Sequence, residues 1–516
     1  MPPNSKVVFV FILFTMKKIL TIAFVLLIPV AMFAQGVDDA SLYTQTFYQG
    51  TAKALGMGNA MGAVGGDMTA VCINPAGMGI YRSSEITASL NLLDNYSTST
   101  YYGDKKDGNI FRLSIPNLGF VFAKERSNYK ALRYTQFGFG LTRTNDFNMR
   151  TNALGINPSS SMVDNYLNQI RNDYYPEGYN GELYTSMFPT SLLEENASAY
   201  TILPAWRTYL IDLFGPENNR YYSSPVPQGN IWQGQKCDFK GRSEAWTFAG
   251  SINLYDRFFI GVSVDLAHIK RFGTKVFSES RVEGTETETD FNQWSFTEDL
   301  SSTGWGGNAK VGFIYHATPW FRFGAAFHSP TLYAFSEKWQ TTTEAEINYE
   351  VKKSLSPEAN YEYTFISPLK CVGSLAFVVG QQGMISLDVE YLNYGAARFR
   401  ASDFDYSPTN ESIKESLGHT ANFRLGTEWY LDGTYLRFGT AYYGSPFGLG
   451  QAGGSVKKAS CGISVPVSAS TSFDFAYELS HGRTFNTLYD AGDLGIESVT
   501  HSHYRHLLLT TLKIRF

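Results

Sequence analysis

Hydrophobic and polar residues alternate along most of the chain after Ser84. In RFFIGVSVDLAH, residues 257–268, every second residue from Phe258 is large and apolar, and the residues between include Gly, Ser and Asp. MISLDVEYLNY, TSFDFAYELSH and ANFRLGTEWYL show the same period. Successive side chains of a strand point to opposite faces, so this period predicts strands with one apolar and one polar face.

Fourteen segments of this kind follow one another, an even number, as in closed bacterial barrels. The predicted strands are 84–95, 110–123, 134–147, 242–254, 258–272, 304–317, 320–335, 361–380, 384–400, 418–431, 434–445, 456–467, 470–482 and 503–516.

Alternation alone also fits a soluble β-sandwich. Three further features favour a membrane barrel: the strands are long, the polar face carries charges of both signs beside Gly and Ser, and short turns such as 380–383 alternate with long loops. Outer-membrane barrels combine short periplasmic turns with long outer loops. The sequence therefore predicts an all-β fold, a 14-stranded antiparallel transmembrane β-barrel over 84–516, with long structured extracellular loops.

Composition agrees with this fold class. Aromatic residues make up 15% of the chain and charged residues only 17%, which favours strands. No stretch after residue 34 approaches the ~20 apolar residues that a spanning helix needs. The last strand ends in Phe516, and a terminal aromatic resembles the signal that the barrel assembly machinery recognises. The alternative is a buried last strand in a periplasmic protein.

The first 34 residues have a different pattern. MKKILTIAFVLLIPVAMFAQG combines Lys17 and Lys18 with an apolar run and small residues near Ala34, which predicts a secretory signal peptide behind an upstream extension, over 1–34. A two-run membrane anchor is the alternative. Cleavage would leave 39 basic and 47 acidic residues, a net charge of −8. Such a chain offers no basic field for nucleic acid.

Two segments lie outside the strand pattern. Residues 35–80 are rich in Gly, Ala and Met and precede the first strand. Residues 148–241 form the longest interruption, a large insertion that strand parity places outside the cell. Within it, SSMVDNYLNQIRN has helical spacing, and LLEENASAYTILPAWRTYLIDLFG predicts two helices separated at Pro204. Long loops with their own structure are usually functional.

The segment ALGMGNAMGAVGGDMTAVCINPAGM, residues 54–78, resembles the N-terminal hatch of the FadL/TodX family of outer-membrane transporters for long-chain fatty acids. Shorter pieces, including SIPNLGFVF and SLDVEYLNYG, recur in family order along the chain. The matching hatch residues are Gly56, Gly58, Ala60, Asp67, Asn74, Pro75, Ala76 and Gly77.

The resemblance implies that residues 35–80 plug the barrel and that Asn74, Pro75, Ala76 and Gly77 join plug to wall. In that family the joint lies beside a kink in the third strand that opens sideways to lipid. Here the third strand contains Gly138 and Gly140, two apart on one face, where Gly often marks a bend. These glycines form a gate, or they make room for the hatch.

Charges on the predicted inward face allow a ladder across the barrel interior. Its main role would be to stiffen the wall and anchor the hatch. Arg322 and Arg437, which have Phe and Gly neighbours, are candidates to bind a ligand carboxylate. The inward set is Asp265, Lys310, Arg322, His328, Asp388, Glu390, Arg424, Glu428, Arg437, Asp474, Glu478, Arg505, Lys513 and Arg515.

No motif indicates bond-breaking chemistry. Cys72, Cys237, Cys371 and Cys461 are far apart, which favours isolated thiols and leaves room for one disulfide. His501 and His503 share a strand face that His506 does not, and a solvated strand end explains them better than a metal site. No nucleophile elbow, phosphate loop or HExxH sequence occurs. We expect neither an enzyme nor a cofactor nor a metal.

The expected function is passive uptake of a hydrophobic small molecule, a long-chain fatty acid or an aromatic hydrocarbon, through hatch and barrel interior. The alternative is a barrel scaffold in the outer membrane for secreted proteins or a secretion machine, since some relatives in gliding bacteria work that way. The expected partners are the ligand, outer-membrane lipid and lipopolysaccharide, the barrel assembly machinery and, under the alternative, a secreted protein. We expect a monomer in the cell outer membrane.

Overall fold

A computed structural model of the protein describes residues 36–126, 130–170, 197–214, 221–284, 291–448, 453–489 and 496–516. The predicted signal peptide, 1–34, lies outside the described residues. No helix in the described ranges is both long and apolar enough to cross a membrane.

The described strands form one closed antiparallel wall and a small separate ribbon, β5–β6. They are β1 (Glu85–Tyr101), β2 (Asp104–Glu125), β3 (Leu132–Asp146), β4 (Met149–Asn157), β5 (Asp212–Phe214), β6 (Tyr221–Ser223), β7 (Ile231–Leu254), β8 (Phe258–Arg281), β9 (Phe291–His316), β10 (Phe321–His328), β11 (Leu332–Ile347), β12 (Glu350–Leu355), β13 (Ala359–Ile366), β14 (Lys370–Val379), β15 (Gly383–Asn393), β16 (Arg398–Arg400), β17 (His419–Leu431), β18 (Thr434–Tyr443), β19 (Val456–Pro466), β20 (Thr471–Asn486) and β21 (Val499–Arg515).

The wall contains fourteen strands, which confirms the predicted fold class. Four pairs of strands each act as one wall strand with a short interruption: β3 with β4, β10 with β11, β14 with β13, and β15 with β16. β12 pairs with the end of β11 and adds no further wall strand. β21 pairs with β1 from Glu85↔Arg515 to Thr100↔Thr500 and closes the barrel. Closure leaves no unpaired edge around the wall.

The two faces of the wall differ as the alternation predicts. On β8, Val262 and Val264 are 57% and 60% exposed, whereas Ser263 and Asp265 are 3% and 2% exposed. Because the outward side chains are apolar and exposed, the wall suits a hydrocarbon surround and a polar interior.

Several strands extend beyond their predicted ends. The sequence predicts an end of β8 at 272, but the strand continues to Arg281, and β9 begins at Phe291 instead of the predicted 304. β8 has 24 residues and, at ~3.3 Å per residue, is ~80 Å long. A strand needs only ~9–11 residues to cross a membrane. The extensions have polar residues on both faces, so they lack the regular apolar alternation by which the sequence marks a strand. We call the rim of the barrel that carries these extensions the long-loop end, and the opposite rim the short-turn end.

The predicted insertion boundaries, 148 and 241, are too wide, because Met149–Asn157 and Ile231–Gly241 are strand residues. The described helices include α1 (Val37–Thr44), α2 (Ala52–Gly56), α3 (Met68–Ile73), α4 (Met162–Gln169), α5 (Ile202–Arg207) and α6 (Ser407–Ser416). α4 confirms the first helix predicted in the insertion.

The predicted break at Pro204 is wrong. Pro204 lies in the first turn of α5, where its missing N–H breaks no hydrogen bond. The helix predicted after it is also wrong, since residues 212–214 pair with 221–223 as β5 and β6.

The remaining parts of the insertion form an outer cap, residues 158–170, 197–214 and 221–230, on the strand extensions. Its core joins Tyr166 and Leu203 to Phe277 and Trp294 of the wall. Glu279 is buried beneath α4 and accepts four hydrogen bonds: from the Ser161 hydroxyl (2.6 Å), Met162 N (2.9 Å), Gln233 Nε2 (2.7 Å) and Trp294 Nε1 (2.7 Å). Burial raises the pKa of Glu279, and these bonds oppose that shift.

Candidate functional site

Residues 36–81, the inner segment, precede β1 and are buried over most of their length, almost completely from residue 48 onward. They contact opposite sides of the wall: Gly62 N donates to Asp388 of β15, and Ala52 N donates to Thr511 of β21. A segment that bonds to strands around the circumference lies inside the barrel.

Asn74 begins a 3₁₀ helix, Pro75–Ile80, at the end of the inner segment. Its side chain accepts from Ala76 N at 3.1 Å and donates to Gly62 O at 2.8 Å and Phe313 O at 3.2 Å. Pro75 occupies the first helical position, where its fixed φ is favourable. The motif Asn-Pro-Ala-Gly therefore ties the inner segment both to itself and to β9.

Glycines of the wall make this close approach possible. A Cβ at Gly261 would lie 2.3 Å from Pro75 C, and one at Gly312 would lie 2.0 Å from Asn74 Oδ1. Both distances are shorter than any real Cβ contact. The joint thus fits against a surface that only glycine provides.

Gly138 and Gly140 face the same segment. A Cβ at Gly138 would lie 2.3 Å from Met78 Cε, and one at Gly140 would lie 2.6 Å from Met68 Cε. β3 pairs without a break at both positions, with β2 on one side and β7 on the other. In this structure the two glycines make room for methionines within a continuous ladder.

Asp67 links two helices of the inner segment and the wall. It caps α3 through Thr69 N at 2.9 Å and accepts from the Thr51 hydroxyl at 2.6 Å. Lys513 Nζ lies 3.6 Å from Asp67 and 2.6 Å from Asp474.

The inward charges form ion pairs between strands. Lys310 Nζ lies 2.6 Å from Asp265, and Arg424 lies 3.4 Å from Glu390 and 3.8 Å from Asp388. Arg437, a candidate for a ligand carboxylate, already lies 2.6 Å from Glu428 and 3.7 Å from Asp474. A charge held by two carboxylates is poorly placed to bind a third.

Arg322, the other candidate, lies near the short-turn end of β10, opposite His316 and Ala376. It is partly exposed and has no ion pair within the described part of the chain. Because Arg322 and His328 lie at opposite ends of β10, Arg322 is distant from the buried charges around His328.

A small cavity of about 60 Å³ lies between the inner segment and the wall. Lys310 and His328 line it, as do Tyr48 and Lys370. Lys370 Nζ donates to Thr44 O at 3.2 Å and to the Thr46 hydroxyl at 2.5 Å. No described carboxylate lies within ion-pair distance of Lys370.

Sequence reasoning did not select Lys370. It is the first residue of β14 and follows Ser367-Pro368-Leu369, where the alternation is interrupted. Its inward direction is shown by the strand register, since Lys370 pairs with the inward His328, and that register is seen only in the structure.

An aromatic cluster continues from the cavity toward the long-loop end. Tyr43 of α1 stacks on Phe335 at 4.8 Å, and Phe365 contacts Phe399 at 5.0 Å. Asp39 anchors the same helix through Arg271 at 2.7 Å. The inner segment thus closes an apolar, aromatic-lined region directly beyond the cavity.

The remaining candidate chemistry is accounted for by local contacts. His501 Nδ1 lies 2.7 Å from the Ser99 hydroxyl, and His506 Nδ1 lies 2.7 Å from the Tyr477 hydroxyl. No group of three or more metal-binding side chains occurs among the described residues. The four cysteines are free.

Comparison with solved structures shows where this fold occurs. The Pseudomonas aeruginosa FadL homologue matches 92% of this chain and 99% of its own, with a TM-score of 0.56 and 11% identity. The P. putida toluene transporter TodX matches 89% and 98%, with a TM-score of 0.51 and 11% identity. The Ralstonia pickettii toluene transporter TbuX matches 92% and 100%, with a TM-score of 0.50 and 14% identity.

No protein-family model matches the sequence, and no curated protein matches it. Identities this low establish the fold alone. The fold is the one that the sequence resemblance implied.

Proposed function

We propose that the protein lies in the outer membrane and lets a hydrophobic small molecule diffuse passively across it. The short-turn end would face the periplasm, and the outer cap would face the medium. The observation that carries the proposal is the continuous arrangement of aromatic cluster, cavity and inner segment inside a closed barrel with an apolar outer surface. The transporters with this fold support it.

In this proposal residues 36–81 act as the hatch. Ligand would displace Tyr43 from the aromatic cluster, enter the cavity and pass when the joint at Asn74 to Gly77 shifts. Sideways release at Gly138 and Gly140 stays a prediction, and it would require the continuous β2–β3–β7 ladder to part. No bond is broken and no energy source is needed.

The class of ligand is a long-chain fatty acid or an aromatic hydrocarbon. Lys370 is better placed than Arg437 to bind a carboxylate, because it lines the cavity and no described carboxylate lies within ion-pair distance of it. A fatty acid would place its carboxylate at Lys370 and its chain among the aromatic residues.

The test is uptake by cells that produce the protein. Labelled oleate and labelled toluene should both be assayed with the wild type, with Lys370→Met and with Lys338→Met, a control whose lysine pairs with Glu358 on the surface. We expect Lys370→Met to reduce oleate uptake selectively. Uptake of neither ligand above cells lacking the barrel would contradict the transport proposal.

The hatch is tested separately. Pro75→Ala with Gly77→Ala should leave the barrel folded, because neither residue contributes to the wall ladder, and should lower uptake. Folding is measured by faster gel migration before boiling than after it. Unchanged uptake of every ligand that the wild type transports would remove the role of the joint.

A scaffold for secreted proteins is the second candidate, and the outer cap favours it. The cap has its own buried core and rests on strand extensions that the membrane does not require. Copurification of a secreted protein, lost when the cap is deleted, would support the scaffold. Ligand in the cavity, detected by native mass spectrometry, would support transport.

A further inference from the structure

Two positively charged residues, Lys457 and Arg483, lie close together on the outward face of β19 and β20, with His481 between them. Lys457 pairs directly with His481 across the two strands, and Arg483 follows two residues later on the same face. Their inward neighbours, Lys458 and Ser480, are buried, which fixes the outward direction of this basic patch. Lys457 and Arg483 are both exposed.

The positive charges of the basic patch have no carboxylate partner among the described residues. Within the described ranges neither Lys457 nor Arg483 forms an ion pair, whereas the inward Lys458 lies 2.8 Å from Glu478. The buried Nε2 of His481 has no hydrogen-bond partner. Positive groups close together repel, so the patch would be stabilised by an anion.

The patch lies where the apolar outer surface ends. His481 is the tenth residue after Thr471, the first of β20, and ~9–11 residues suffice to cross a bilayer. Three other histidines lie at similar distances from the short-turn end and contact aromatic side chains: His268 on Trp305, His506 on Tyr477 and His419 on Tyr391. Aromatic residues mark the headgroup level.

Below the patch, β19, β20 and the neighbouring β21 present an apolar strip. Leu479 is 37% exposed, Ile463 38% and Leu508 46%. A single amphiphilic ligand would place its phosphate next to Lys457 and Arg483 and its acyl chains on this apolar strip. We propose that the basic patch binds a phosphate group of a glycolipid of the outer leaflet. The inference rests on the membrane placement proposed above.

The test is native mass spectrometry of the full chain in detergent, with a diphosphorylated lipid A as the probe. Lys457→Gln with Arg483→Gln should weaken binding about tenfold or more, since each basic residue near a lipid surface contributes ~1 kcal/mol. Lys457→Arg with Arg483→Lys should retain binding. Lys352→Gln with Lys353→Gln is the matched control, because it removes two exposed, ion-paired lysines elsewhere.

Equal lipid binding by the Gln variant and the wild type would overturn the proposal. So would full displacement of the lipid by inorganic phosphate at equal concentration, because the patch would then take any phosphate. The single variants should each give a partial loss, which keeps the test decisive if the double variant misfolds. Migration before and after boiling reports the barrel, so a failure of membrane placement is seen independently of a failure of lipid binding.

Discussion

A substitution at Val262 tests whether the outward face of the barrel wall contacts lipid hydrocarbon. Val262 lies on the outward face, four residues from the short-turn end of β8, near the middle of the apolar surface. A charge at the bilayer midplane costs ~2–4 kcal/mol for Arg on the lipid face of a barrel. We expect Val262→Arg to lower the fraction of folded barrel strongly, as measured by migration before boiling.

The control for this change is Ser263→Ala, on the inward face of the same strand. Ser263 is buried opposite Lys310, and Ala fits the same space. We expect its folded fraction to equal that of the wild type. Equal folding of Val262→Arg would show that this face does not contact hydrocarbon.

Sequence alone predicts side-chain direction well and pairing partners poorly. Alternation placed Asp388, Glu390 and Arg424 inward, because direction follows from the strand period. It could not show that Arg437 already has two carboxylate partners or that Lys370 has none, because those facts depend on the register of neighbouring strands. The chemistry of the cavity was therefore not predictable residue by residue.

At the level of elements, the glycines of β8 and β9 should limit the position of the inner segment. A Cβ at Gly312 would overlap the side chain of Asn74. We expect Gly312→Ala to displace the joint without breaking the wall, because the alanine keeps its backbone hydrogen bonds. Hydrogen exchange should rise in residues 74–80 and stay unchanged in β8.

Gly373 provides the control, since a Cβ there meets nothing within 4 Å. Gly373→Ala should leave exchange in residues 74–80 at the wild-type level. Equal exchange in both variants would mean that the inner segment tolerates the displacement and is not held by this glycine surface.

The outer cap should depend on Glu279. Replacing it by Leu leaves four donors without an acceptor, and each buried unsatisfied group costs ~1–3 kcal/mol. We expect exchange in α4 to rise about 100-fold, equivalent to ~3 kcal/mol, while the wall stays protected. Glu344→Ala, at an exposed position on β11, should leave α4 unchanged. An unaltered α4 in Glu279→Leu would show that apolar packing alone holds the cap.

Element boundaries illustrate what the sequence did not contain. The membrane-crossing part of each strand alternates apolar and polar residues, so all fourteen were found. The extensions of β8 and β9 have polar residues on both faces, and Pro204 was interpreted as a break because its place in a first turn depends on where the helix begins. Such features are set by tertiary contacts with the outer cap.

At the scale of the whole molecule, orientation in the membrane follows from the difference between the two rims. The short-turn end exposes little chain, with connections such as 380–383, and the long-loop end carries the outer cap. We expect a protease added to intact cells to cut within 158–230 and to spare 380–383, as mapped by mass spectrometry of the fragments. The protein should also fractionate with the outer membrane, resist carbonate extraction and migrate faster before boiling.

Permeabilised cells supply the control, because access from the periplasm should add cleavage at the short-turn end. Cleavage at 380–383 in intact cells would invert the barrel, and recovery as a soluble periplasmic protein would overturn the membrane placement, because an apolar outward face as extensive as that of β8 is stable only against hydrocarbon.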